Sequence, residues 1–205
     1  MAREVIPSGA ALGADVRGID FSQPLSADDK TFIQQAWKDH LVLRFKDQSL
    51  EDEDLIRMAD DFGGSQVAGS RQYYLNAGYD AKSGRVSHLP GITLISNLGK
   101  DGKPEKSNSG TGSNELIWHT DNSYVENPPK GSILYGIQVP INGGGDTSFV
   151  NQYETYDALS EPMKKRLLTL HVRHDNSRNT AGGTRPTAKR PTTREEVDGP
   201  IHPIV

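Results

Sequence analysis

The residue pattern predicts an α+β protein, and three observations carry that expectation. Apolar residues recur at helical spacing near both ends of the chain, at Phe32, Ile33, Ala36 and Trp37 and again within residues 153–170. Short apolar runs such as Leu41-Val42-Leu43-Arg44-Phe45 and Ser132–Val139 have strand length. Between them lie glycine- and proline-rich punctuators, such as Asn127-Pro128-Pro129-Lys130-Gly131 and Asn142-Gly143-Gly144-Gly145-Asp146.

Taken in order, Gly13–Asp20 alternates enough for a short or bent strand. Ser26 with Asp29 three residues on forms a weak capping box, and the apolar stripe behind it predicts a helix over 27–39. Residues 41–45 read as a buried strand. Ser49 opens a second helix, with Leu55, Ile56, Ala59 and Phe62 on one face and Gly63-Gly64 as its stop. Two apolar clusters follow, at Tyr73-Tyr74-Leu75 and Ile92-Thr93-Leu94-Ile95. The second reads as a strand ending at Ser96-Asn97. Residues 99–113 have the composition of a mobile loop, placed where a lid could act. Residues 132–139 read as a strand, and 147–150 lead out of the glycine turn. Two short helices cover 153–159 and 163–170, the second capped by Ser160 with Pro162 in its first turn. Residues 175–200 hold almost no large apolar side chains and read as loop or disorder. A new strand begins at Ile201.

The 205 residues suffice for one domain, and we read 1–205 as a single, partial domain. Hydrophobic residues are 34% of the chain, low for a complete compact domain. Mean hydropathy is -0.63. A net charge of -4 argues against an electrostatic grip on nucleic acid or on anionic membrane. No apolar run approaches the length of a membrane span, and the first residues lack the apolar core of a signal peptide. The expected location is therefore cytoplasmic. With no cysteine, disulfides, thiolate nucleophiles and Cys-ligated metals are excluded, so a metal site must use His, Asp, Glu or backbone oxygen.

His119 and Asp121 are the residues with the clearest chemical potential. In an extended segment, residues i and i+2 share a side, so an imidazole and a carboxylate could meet one cation. Two histidines and a carboxylate form the facial triad of non-haem iron oxygenases. The spacing alone is unspecific: 6 histidines and 27 acidic residues give roughly 0.8 such pairs by chance. An ordinary His and Asp beside a turn is the plain alternative.

The surroundings are more specific. Glu115-Leu116-Ile117-Trp118-His119-Thr120-Asp121-Asn122-Ser123-Tyr124 resembles the metal-binding segment of the taurine dioxygenase (TauD/TfdA) family. So do Pro128–Tyr135 and Gly144-Gly145-Asp146-Thr147. Leu12–Asp20, Phe45-Lys46-Asp47-Gln48, Phe62-Gly63, Ile95-Ser96-Asn97, Tyr156-Asp157-Ala158-Leu159 and His202-Pro203 follow the family pattern in order. The resemblance implies a mainly β fold, a double-stranded β-helix (jelly roll) with flanking helices, incomplete at its C-terminus. It implies an oxidoreductase, a dioxygenase using iron(II), 2-oxoglutarate and O2 to hydroxylate a small, anionic organic substrate, with release of succinate and CO2.

By the same resemblance, His119 and Asp121 are metal ligands and Thr147 binds the distal carboxylate of 2-oxoglutarate. Asn97, Asn122 and Tyr124 face the substrate, with Asn122 and Tyr124 on the strand of the ligands. Each has a plain alternative: a turn-exit threonine, a turn-capping asparagine, a core tyrosine. Trp118 is expected to pack away from the metal. His171 and His174 could join a metal site only if the fold brings them to His119, and His88 could line the pocket. The family's second histidine and its 2-oxoglutarate arginine lie beyond its His-Pro segment, so they are expected outside residues 1–205. That predicts a fragment, a chain completed by a C-terminal polypeptide, or a truncated, catalytically inactive binding protein, and the open sheet edges it leaves invite association such as a homo-oligomer. A zinc hydrolase is a third reading, and it also wants another protein ligand.

Overall fold

The computed structural model describes residues 2–67, 71–80, 86–96, 98, 101, 103, 117–139, 141, 146–179 and 182–205. The chain divides into two compact units, Met1–Ser65 with Thr147–Lys164, and Gln66–Asp146 with Lys165–Val205. Helices hold more of the described residues than strands do.

The first unit is built on a three-stranded sheet in the order β1 (Glu4–Pro7), β2 (Ala14–Arg17), β3 (Leu43–Phe45). β1 runs antiparallel to β2 and β3 runs parallel to it. A parallel neighbour requires a crossover, and α1 (Ala27–His40) supplies it. Ser26 caps α1 in the predicted manner: its hydroxyl accepts from the Asp29 N–H while the Asp29 carboxylate accepts from the Ser26 N–H. Ile33 and Ala36 are its buried residues.

The core of this unit is Val16, Ile19, Phe21 and Ile33, flanked by Leu25, Phe32, Leu43, Phe45, Leu50, Met58 and Phe62. Phe21 meets Phe45 edge to face, with centroids 4.8 Å apart. Polar backbone at the rim is satisfied by side chains. Gln48 accepts from the Phe21 N–H and donates to the Ile19 carbonyl, and Arg57 donates to the Phe21 carbonyl.

α2 (Asp52–Asp61) is capped by Glu51 rather than by Ser49, since Glu51 and Asp54 close the reciprocal box. It ends at Gly63 and Gly64, both at positive φ, as the double glycine predicts. α4 (Gln152–Asp157) starts at Asn151, whose side-chain oxygen accepts from the Tyr153 and Glu154 N–H groups. α5 (Glu161–Leu167) has Pro162 in its first turn.

In the second unit, Tyr73-Tyr74-Leu75 belongs to a short helix, α3 (Arg71–Asn76). The expected strand at 92–95 is reduced to a single bridge, Val86 with Thr93. β4 (His171–Arg173) pairs antiparallel with β5 (Ile201–Pro203), the strand foreseen at the end of the chain. Where β5 returns, a Cβ at Gly199 would overlap the His174 carbonyl, so only glycine fits there. Between these strands, the described residues 175–179 and 182–200 form turns and irregular segments with one bridge among them, Arg178 with Thr184.

Residues 132–139 are not a strand. They find no ladder partner among the described residues, and Ile137 is 82% exposed. An apolar run makes a strand only where a neighbour takes up its N–H and C=O groups. Among the described residues, no helix is long and apolar enough to cross a membrane.

Candidate metal centre

The second unit brings His119 and Asp121 together. Nε2 of His119 lies 3.2 Å from Oδ1 of Asp121. The segment delivers this contact without being a strand. Residues 117–120 have no regular structure and 121–124 form a turn, with Asn122 in the left-handed region at φ 50°. That conformation reverses the chain, so the expectation that Asn122 and Tyr124 continue a ligand-bearing strand is corrected. Asparagine tolerates it because its short side chain bonds locally. Here the Asn122 side-chain oxygen accepts from the Tyr124 hydroxyl at 3.0 Å.

Both members of the pair are held from behind. Nδ1 of His119 is 2.7 Å from the Ile117 carbonyl oxygen. Ser132 Oγ donates to Asp121 Oδ2 at 2.8 Å, leaving Oδ1 for the histidine side. The hydrogen-bond count is informative. A carbonyl and an ionised carboxylate only accept, and a neutral imidazole has one N–H. Once Nδ1–H is given to Ile117, Nε2 turns a lone pair toward Asp121 Oδ1. Two donor atoms turned toward each other at 3.2 Å are arranged as two ligands of one shared cation would be.

The geometry fits a cation. Two adjacent ligands of an octahedral ion, each about 2.1 Å from the metal, are about 3.0 Å apart. A ring whose second nitrogen is tied to a carbonyl and a carboxylate whose far oxygen is bonded are also the usual supports of metal ligands. The pair is open: the His119 side chain is 38% exposed and that of Asp121 57%. No group of three or more His, Cys, Asp or Glu suited to a metal occurs among the described residues.

Tyr124 is half-buried beside this pair, and burial raises its phenol pKa above the ordinary value, with Arg185 acting in the opposite sense. Arg185 lies over the Tyr124 ring, 5.1 Å from its centroid. Sequence reading missed Arg185, because it sits in a polar stretch with no motif around it. Thr147 opens the second segment of the first unit and is exposed. Asn97 and Glu115 lie outside the described residues. Trp118 is 67% exposed and does not pack as expected, its neighbours 117–120 being exposed as well.

His174 and His202 meet each other, with ring centroids 5.2 Å apart, and His202 Nε2 is 3.0 Å from the Val125 carbonyl. Burial lowers the His174 pKa, and His202 adds to the effect. His171 is exposed on β4.

An adjacent histidine and carboxylate with backed second atoms define a class, the candidate mononuclear centres of nitrogen and oxygen ligation. The comparisons specify the family. The chain matches the model of the taurine catabolism dioxygenase TauD, TfdA family over residues 4–205, and it belongs to that family. It is 33% identical over 170 residues to a pentalenolactone F synthase from Streptomyces avermitilis, covering 81% of this chain and 50% of the relative. It is 30% identical over 186 residues to the alpha-ketoglutarate-dependent 2,4-dichlorophenoxyacetate dioxygenase of Cupriavidus pinatubonensis, covering 87% and 61%. A solved structure of an assigned alpha-ketoglutarate-dependent taurine dioxygenase from Burkholderia xenovorans superposes with a TM-score of 0.62 at 25% identity. That match covers 85% of this chain and 54% of the other. The chain thus spans about half the length of the first curated relatives it matches.

Proposed function

We propose that this chain carries the iron-binding part of a 2-oxoglutarate-dependent dioxygenase acting on a small organic anion, with His119 and Asp121 as two ligands of the metal. The reading rests on one observation above the others: His119 and Asp121 stand at the separation of adjacent ligands, each with its other polar atom already bonded. Membership of the TauD, TfdA family supports iron(II) as the ion and 2-oxoglutarate and O2 as co-substrates. Iron with these co-substrates supplies the oxidising power for hydroxylation, with succinate and CO2 released.

The chain's own residues have simpler tasks. Ile117 fixes the ring of His119 with Nε2 facing the metal position, and Ser132 fixes the rotation of Asp121. Asn122 and Tyr124, bonded to each other, form the wall beside the pair. We assign Thr147 to the distal carboxylate of 2-oxoglutarate and Asn97 to the substrate side, by the resemblance of their segments to the family. The jelly roll is proposed on the same basis. A non-catalytic binding protein of this fold is the second reading, favoured by the exposure of the pair and by a ligand set of two among the described residues.

Anaerobic calorimetric titration of the 205-residue chain with iron(II) tests the reading. We expect one weak site per chain, lost in both His119→Ala and Asp121→Ala. Undiminished binding by either variant removes these residues from the centre. Two ligands leave the ion poorly held, so little succinate is expected from this chain alone.

A further inference from the structure

The turn that follows Asp121 is held at its exit from β5. His202 Nε2 lies 3.0 Å from the Val125 carbonyl oxygen, 77 residues away in sequence. A carbonyl oxygen only accepts, so the ring carries its proton on Nε2 and donates it. Val125 in turn donates its N–H to the Asn122 carbonyl at 3.1 Å, which closes a turn over residues 122–125 directly after Asp121. Val125 is thus bonded through both of its backbone polar groups, one within the turn and one to β5. It is half-buried, where a carbonyl left without a partner is costly.

The donor is fixed in its own right. His202 is the middle residue of β5, opposite Val172 in the middle of β4. The pairing extends on both sides, through the His174 N–H to the Pro200 carbonyl at 3.0 Å and the Ile204 N–H to the Leu170 carbonyl at 3.2 Å. Arg173 Nη1 adds a bond to the Gly199 carbonyl at 3.0 Å. His174, two residues beyond Val172, falls on the same side of the hairpin as His202. Its ring rests 5.2 Å from that of His202, centroid to centroid. Strand register and ring contact together aim the His202 imidazole at Val125.

The ligand segment is therefore secured from two directions. Ile117 and Ser132 bond the side chains of the His119–Asp121 pair, and β5 bonds the backbone that follows it. Between them sits Asn122 at φ 50°, a conformation that L-residues disfavour and that a bond at the turn's exit helps to keep. Resting on the function proposed above, we propose that His202 is a positioning residue of the metal centre. Its Nε2–H holds the Val125 carbonyl and so fixes the turn that sets the Asp121 carboxylate against His119.

The test is a manganese(II) titration of the 205-residue chain, read by the electron paramagnetic resonance of the free ion. Amide hydrogen exchange at Val125 is the metal-free readout. His202→Ala is expected to weaken manganese about threefold to fivefold, the loss of part of one neutral hydrogen bond. His202→Gln places an amide N–H where Nε2 stood and should restore most of the affinity. His202→Asn is too short to reach that position and should stay as weak as alanine. Val172→Ala trims the facing residue of the same hairpin and leaves the bond, so it should bind manganese as wild type does. Without metal, the Val125 N–H should exchange faster in His202→Ala and return toward the wild-type rate in His202→Gln. Equal affinity of wild type and His202→Ala overturns the proposal, as does a His202→Gln variant no tighter than His202→Asn. So does a loss in Val172→Ala that matches His202→Ala, which would make His202 a residue of hairpin stability alone. Wild type supplies a check that stands whether or not a variant folds. At alkaline pH, the 15N spectrum of the neutral His202 ring must show its proton on Nε2, and a proton on Nδ1 excludes the bond. If wild type binds no manganese, the metal reading falls by itself. The hold of His202 on the turn is then judged by Val125 exchange, and an unchanged rate in His202→Ala overturns it.

Discussion

Replacing Ser132 by alanine isolates one support of the proposed centre without touching a ligand. The Ser132 hydroxyl donates to Asp121 Oδ2 at 2.8 Å. A hydrogen bond to an ionised group contributes about 1.5–3 kcal/mol where water does not compete. The Asp121 side chain is 57% exposed, so water takes over much of that bond in the variant. We therefore expect a loss of about 1 kcal/mol, which corresponds to about fivefold in Kd. This is below the tenfold to hundredfold, roughly, that outer partners of buried metal ligands contribute. The assay is a manganese(II) titration read by the electron paramagnetic resonance of the free ion, on wild type, Ser132→Ala and Ser132→Thr. Threonine restores a hydroxyl and should recover most of the affinity. If Ser132→Ala binds as wild type does, or if threonine is as weak as alanine, the orienting role of this bond is refuted.

Two further predictions concern the first unit. Phe21 is 3% exposed and packs edge to face on Phe45, so Phe21→Ala should cost about 3–5 kcal/mol, read as a lowered urea midpoint for unfolding. Asp15 is held at a pKa of about 2, against an ordinary 3.8, chiefly by its hydrogen bonds from Arg44 and then Lys46. A depressed carboxylate stabilises the fold fully above its unfolded value and loses that contribution as pH falls from about 4 toward 2. Asp15→Asn should therefore flatten the acid limb of the stability curve in that window, and parallel limbs for the two proteins would contradict the assignment.

Local signals carried the parts of the fold that depend on neighbours in sequence. The Ser26–Asp29 box, the apolar stripe of α1, the double glycine after α2 and Pro162 in α5 each act within one or two helical turns, where side-chain spacing dictates the outcome. Strands were less legible, because pairing is settled by residues far away along the chain. β1 and β4 gave no clear periodicity of their own, and each exists by pairing with a partner, β2 and β5. Residues 132–139 have strand composition and no ladder among the described residues.

The candidate site divides along the same line. The sequence by itself determined which chemistry was possible: no thiolates, a His-x-Asp pair, and ordered motifs around it that identify the family. Only the tertiary structure decided how the pair is presented. The turn at Asn122 replaces the expected strand, and Ile117 and Ser132 take up the second polar atom of each residue. It also decided that Arg185, separated from Tyr124 by sixty residues of chain, lies on that ring. Spacing in sequence can place two side chains on one side of a short segment. The partner that orients each of them, and the cation that lies over Tyr124, follow from three-dimensional packing that no local pattern encodes.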